Sequence, residues 1–212
     1  MIHLLDHFDS FTFNLLQAFA ALGVEVRVYR PGDAALALVE VGPGDGWVVG
    51  PGPHSPAEAT AAAALLRGLA PEVPVLGVCL GHQVLVTVHG GEVVRGPAPV
   101  HGKPSAVEHA ATGLFAGLPS PMVAGRYHSL VARRESLPAC LVVEATALDD
   151  GAVMAVRHEA LPRWGVQFHP ESILTPDGPR LLQNFVDRCR GVQRGAAPRT
   201  ATRASARASC RC

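Results

Sequence analysis

The stretch "VLGVCLGHQ", residues 75–83, sets Cys79 between two glycines, Gly77 and Gly81, directly behind an apolar run. A thiol becomes a useful nucleophile when its surroundings favour the thiolate and a nearby donor accepts the charge it creates on a carbonyl. The G-x-C-x-G pattern has the form of a nucleophile elbow, a sharp strand-to-helix turn whose crowding admits only glycine on either side. There Cys79 would stand at a helix N-terminus, where the dipole favours the thiolate, and the N–H of Leu80 would be free for an oxyanion. An inert buried thiol is the other reading of an isolated cysteine, and a partner base decides between them.

Ten histidines are present, and His169 stands apart. It follows the apolar run "WGVQF", is fixed by Pro170, and has Glu171 two residues on. At a strand end that separation puts both side chains on one side, so the carboxylate can hold one imidazole nitrogen while the other faces the thiol. A turn in which His169 and Glu171 only cap a loop stays open on spacing alone. The five cysteines show neither zinc nor disulfide spacing, so no metal site is expected.

These residues need a scaffold, and the pattern supplies one. "IHLL", "VEVRVYR", "GWVVG" and "VPVLGV" are apolar strand runs. They alternate with the helical stretches "TFNLLQAFAAL", "AEATAAAALLRGL" and "HQVLVTVHG". Strand–helix alternation with continuously apolar strands predicts an α/β fold, a single flavodoxin-like doubly wound domain with a mostly parallel central sheet. After Gly91 the texture shifts to "GEVVRG", "CLVVEATAL", "GAVMAVRH" and "RWGVQF", read as a smaller antiparallel or mixed extension, and "GPRLLQNFVDRCR" is the closing helix. At the first helix, Ser10 or Thr12 is expected as the cap, with Phe11 and Phe13 in the core; a direct catalytic role or a place beside the partner interface is the alternative for this stretch.

The chain has 212 residues, 48% hydrophobic, a length suited to one domain, expected over residues 1–193. No apolar run reaches the roughly 18 residues of a membrane span, and Met1 leads into "IHLLD" without a basic n-region. A soluble, cytoplasmic protein is expected, with no membrane association. Net charge is zero, but the segment 194–212 holds five arginines and no acid, leaving the remainder acidic. That argues against nucleic-acid binding by the body of the protein. The tail has too little apolar content to order itself and reads as disordered.

With "GVCLGHQ" and "GVQFHPES" roughly 90 residues apart, the chain resembles the class I, triad-type glutamine amidotransferases. Further motifs are "DHFDSFTFNL", "GPGPHSP" at 50–56, "HGK" at 101–103, "RYHSL" at 126–130 and "NF" at 184–185. The set is similar to the glutaminase subunits of anthranilate and aminodeoxychorismate synthases, and it covers about residues 1–190. The resemblance implies Cys79 as nucleophile, His169 as proton relay and Glu171 as its orienting group. It implies an oxyanion site between the N–H groups of Gly52 and Leu80. Gly52, Gln83, Ser129 and Leu130 would hold L-glutamine. No cofactor is implied in this chain, and any magnesium would belong to the synthase. The family loop S-P-G-P-G ends here on His54, a side chain that would narrow the pocket, touch the partner, or be a tolerated loop change.

Ammonia released into neutral water is mostly protonated and lost as a nucleophile, so such a glutaminase is productive only on a synthase. The partner implied by the resemblance is a chorismate-utilising synthase subunit, with anthranilate the expected product and aminodeoxychorismate the alternative. A different amidotransferase, a γ-glutamyl hydrolase, or a silent binding subunit fits the motifs less well. Lys103 is the only lysine beside seventeen arginines, which suggests that a compact ammonium is required there. The family uses this segment against the synthase, so His101, Gly102 and Lys103 are the expected partner interface.

Overall fold

The computed structural model describes residues 1–191. The arginine-rich segment 194–212 and the end of the expected domain lie outside the described residues. Nine strands form one sheet: β1 (Ile2–Leu5), β2 (Val26–Tyr29), β3 (Gly46–Val49), β4 (Val75–Val78), β5 (Val93–His109), β6 (Met122–Ala132), β7 (Leu141–Ala147), β8 (Val153–His158) and β9 (Arg163–Val166). Four helices join them: α1 (Thr12–Ala21), α2 (Thr60–Gly68), α3 (Leu80–Val88) and α4 (Gly178–Cys189). The sheet order is β2-β1-β3-β4-β9-β8-β7-β5-β6. The first five strands run parallel, in the doubly wound order of flavodoxin-like sheets, and the remaining pairings are antiparallel.

β1, β3, β4 and β9 are buried at every position, as their apolar runs require of strands covered on both faces. Helices α1 and α4 cover one face, where Leu15, Phe19, Leu181 and Phe185 meet at helical spacing. Phe19 and Phe185 pack edge to face at 6.5 Å. On the other face α2 and α3 bury Ala62, Leu66, Leu80 and Val84. Each large side chain so buried contributes about 1.5–3 kcal/mol.

Three expectations are corrected. "RWGVQF" is not part of the extension: β9 lies parallel to β4 at the centre of the sheet, with Gly77 opposite Gly165. Neither Ser10 nor Thr12 caps α1; the cap residue is Phe11, and Asp9 Oδ1 accepts its backbone N–H at 2.8 Å. Thr12 instead donates its hydroxyl to Asp6 Oδ1 at 2.8 Å, and Asp6 also accepts from Arg30 Nε at 2.9 Å. Phe13 is exposed, and Phe11 turns toward the site described next.

Candidate active site

In an open α/β sheet, ligands bind outside the carboxyl ends of the strands, where the chain leaves the sheet in loops. Four such exits converge here: the residues after β1, the Gly50–Pro53 loop after β3, the turn from β4 into α3, and the segment after β9. Together with β5 and β6 they surround a cavity of about 630 Å³ whose lining includes Gly52, Cys79, Gln83, His101, Ser129 and His169. A larger cavity of about 720 Å³, around Asp45 and Pro74, contains none of the predicted residues.

The elbow is built as its glycines demand. Cys79 caps α3 with φ +52° and ψ −100°, a backbone state that side chains rarely adopt and that costs on the order of 1–3 kcal/mol. A Cβ on Gly77 would lie 2.5 Å from the carbonyl carbon of Gly81, and one on Gly81 would lie 2.0 Å from the carbonyl oxygen of Val49. Only two bare α-carbons let β4, α3 and β3 close to this distance. The Cys79 N–H donates to the Val166 carbonyl at 2.8 Å, which ties the elbow to β9. Leu80 opens α3, so its N–H has no carbonyl within the helix to bond.

His169 follows β9 and is almost fully buried. Its Nδ1–H donates to Glu171 Oε1 at 2.6 Å. Phe11 and Tyr127 pack on the ring, with centroids at 4.8 and 5.0 Å, and leave little room for it to rotate. The other nitrogen, Nε2, is buried and makes no aligned hydrogen bond. Burial pushes the imidazole pKa down, but the neighbouring Cys79 sulfur and then Glu171 outweigh it and raise it to about 10. The protonated form of the ring is thus favoured by its place between a carboxylate and a sulfur.

The predicted glutamine-contacting residues gather on the same cavity. Gly52 packs so closely that an added Cβ would lie 2.5 Å from Leu80 Cδ2 and 2.7 Å from His7 Cβ. Gln83 is buried, and its Nε2 donates to the Leu130 carbonyl at 3.3 Å. Ser129 is exposed, and its Oγ lies 3.2 Å from His101 Nε2. Gly102 has φ +65° within an irregularity of the β5–β6 pairing, and Lys103 is exposed without an ion pair among the described residues. His54 sits at the cavity mouth, 58% exposed, 3.9 Å from Glu58.

Sequence reasoning missed two groups. Gln167, wholly buried, donates from Nε2 toward Cys79 Sγ at 3.7 Å and accepts from Gln83 Nε2 at 3.2 Å. Its signal was a lone amide inside an apolar strand. Arg126, also fully buried, donates to Asp149 at 3.1 Å, Asp150 at 2.7 Å and His128 Nε2 at 3.1 Å. Burial and then the Arg126 charge push the His128 pKa down to about 4. Away from the cavity, His89, Cys140 and His158 bring possible metal-binding atoms within 4.8 Å of one another. His158 Nδ1, however, accepts backbone N–H groups from Ala160 and Leu161, so the neutral ring carries its proton on Nε2, and burial and the nearby Arg163 disfavour added positive charge.

Comparison with known proteins agrees with this architecture. The family model described as glutamine amidotransferase class-I matches residues 3–189. Aminodeoxychorismate synthase component 2 of Serratia marcescens is 47% identical over 191 residues, covering 89% of this chain and all of that protein. Anthranilate synthase component 2 of Pseudomonas aeruginosa is 47% identical over 197 residues, 91% of this chain and 98% of that protein. The Bacillus subtilis protein named aminodeoxychorismate/anthranilate synthase component 2 is 44% identical over 187 residues, 88% and 96% of the two chains. A solved structure from Thermoplasma acidophilum, described as one subunit of a putative GMP synthase, superposes with a TM-score of 0.79 at 23% identity, over 90% of this chain and 94% of that one, and shows the shared fold. Both the matched length and the level of identity place the chain within the class-I glutamine amidotransferase family.

Proposed function

We propose that this chain is the glutaminase subunit of a two-subunit synthase, hydrolysing L-glutamine through Cys79, His169 and Glu171 and passing ammonia to a chorismate-utilising partner. One observation carries the reading. The strained Cys79 elbow and the buried His169–Glu171 pair, far apart in the sequence, meet on adjacent parallel strands at one cavity.

The chemistry follows from the charges. With His169 beside it to take the thiol proton, the Cys79 sulfur attacks the carboxamide carbon of glutamine. The oxyanion so formed accepts from the N–H groups of Leu80 and Gly52, a donor of this kind lowering the barrier by about 2.7–4 kcal/mol. His169 then gives its proton to the departing nitrogen, which leaves as ammonia, and a glutamyl thioester remains. Once the sulfur is acylated, its charge no longer supports the imidazolium. The His169 pKa falls, and the neutral ring takes a proton from the water that releases glutamate. Gln83, Ser129 and Leu130 hold the amino-acid end of the substrate. His101, Gly102 and Lys103 form an exposed edge beside the cavity and are the proposed contact with the synthase.

The product we assign is anthranilate. Aminodeoxychorismate is the second reading, because relatives named for each synthase are equally similar to this chain. In the reconstituted complex, Cys79→Ala is expected to lose glutamine-dependent synthesis and to keep synthesis from ammonia. Glutamine-driven turnover in that variant would refute the nucleophile. Identifying the aromatic amine made from chorismate and glutamine decides the product.

A further inference from the structure

Resting on the reading of Cys79 as nucleophile, we propose that Gln167 is a positioning residue that presents an N–H to the sulfur, stabilising the thiolate and fixing its direction. Polarity is enforced along a buried chain of hydrogen bonds. A guanidinium can only donate, so His128 Nε2, 3.1 Å from Arg126 Nε, is an acceptor and the ring proton lies on Nδ1. His128 Nδ1–H donates to the Leu130 carbonyl at 3.0 Å. That carbonyl can only accept, so the Gln83 atom 3.3 Å from it is the amide nitrogen. The same nitrogen lies 3.2 Å from Gln167, which must turn its oxygen toward Gln83. The Gln167 amide nitrogen is thereby left facing Cys79 Sγ at 3.7 Å, a normal N–H···S separation.

A flipped Gln167 would set two N–H groups against each other and an oxygen against the thiolate. Neither is tolerable where Gln167, Gln83 and His128 are all nearly inaccessible to water. The backbone adds to the constraint. The Gln167 N–H donates to the Met154 carbonyl on β8, and the preceding residue, Val166, accepts the Cys79 N–H, each at 2.8 Å. Strand β9 therefore holds the elbow by its main chain and the sulfur by its next side chain. A donor aimed at a developing or resting anion in a dry site meets less competition from water than any surface contact, and its effect falls on the charged form alone. The same polarity leaves Gln83 Oε1 without a hydrogen bond among the described residues, on a side chain that lines the cavity.

The test is the pH dependence of Cys79 alkylation by iodoacetamide in the full chain, read by mass spectrometry of the Cys79 peptide. Gln167→Leu removes the donor, and Gln167→Glu keeps the length while placing an oxygen opposite the sulfur. The midpoint is expected to rise by about one pH unit in the first and by more in the second. A merely structural role would lower the melting temperature and leave the midpoint in place. Midpoints that coincide with the wild type in a folded variant overturn the proposal. If neither variant folds, NMR of the wild-type chain decides: the Gln167 side-chain amide resonances shift across the Cys79 titration, or the proposal fails. Loss of glutamine turnover in Cys79→Ala together with unshifted midpoints removes only the role of Gln167. Retained turnover in Cys79→Ala removes the nucleophile itself.

Discussion

His101 Nε2 and Ser129 Oγ lie 3.2 Å apart across the β5–β6 pair. The relationship joins the proposed partner-facing segment directly to the proposed glutamine pocket. The register slips on both sides of His101, between Arg95 and Val100 and between His101 and Lys103, so the ladder is interrupted on either side of the Val100–His101 pairings. A synthase pressing on residues 101–103 would thus move Ser129 through a side-chain bond. His101→Ala is expected to raise KM for glutamine about 2- to 10-fold in the complex, as befits one exposed hydrogen bond, with kcat nearly unchanged. Steady-state kinetics at saturating chorismate checks it, and an unaltered KM counts against the coupling.

Glu171→Gln is expected to do the reverse, lowering kcat on the order of a hundredfold or more while KM moves little. Glu171 raises the His169 pKa, so removing its charge lowers that pKa and with it the fraction of imidazolium available to protonate the leaving ammonia. The alkaline limb of the kcat–pH profile should move toward lower pH in the variant. An unmoved limb would show that Glu171 does not govern the ring's charge.

The elbow glycines give a stability prediction with an internal control. In Gly81→Ala the new methyl would sit 2.0 Å from a backbone oxygen that cannot yield, and a loss of about 3 kcal/mol is expected. Gly68, in the last turn of α2, has nothing within 4 Å of an added Cβ. Gly68→Ala is expected to gain about 0.5–1 kcal/mol. Urea unfolding of the two variants should therefore move in opposite directions.

Buried neutral histidines set the acid limit of the fold. Burial holds the His82 pKa down at about 3, and burial with the Arg126 charge holds His128 at about 4. Both values lie below that of the unfolded chain, about 6.5. Each residue therefore contributes stability that is complete above that pH and declines as pH falls toward the folded value. The slope is about 1.4 kcal/mol per pH unit for each. Denaturant titrations between pH 7 and 5 should show it, and His82→Phe should flatten the dependence by one such increment even if it lowers stability overall.

The elbow and the turn carrying His169 are legible in the sequence because both are marked by residues with stringent backbone requirements: Gly77, Gly81 and Pro170 announce turns whatever the surrounding fold. The parallel strands are legible from their continuous apolar character. Strand β9 reads as part of the extension because "RWGVQF" has the length and composition of its neighbours, and nothing local says which strand it joins. Strand β6 carries Arg126 and His128 at buried positions, a pattern that looks polar until Asp149, Asp150 and the Leu130 carbonyl are brought to meet them. Gln167 is hidden for the same reason: its meaning depends on Gln83, which approaches only when α3 packs against β9. At the first helix the short-range rule loses to a longer-range one, since Thr12 bonds Asp6 across the turn rather than its own helix.

The seating of β9 directly beside β4 has a bearing on synthesis of the chain itself. Everything between these strands, from α3 through β8, must leave the ribosome before the second partner exists. Until then the proposed nucleophile Cys79 has no His169 beside it, so on the proposed reading a growing or truncated polypeptide is not expected to hydrolyse glutamine. On that reading reactivity would arrive only with the last central strand, as a certificate that the sheet has been assembled.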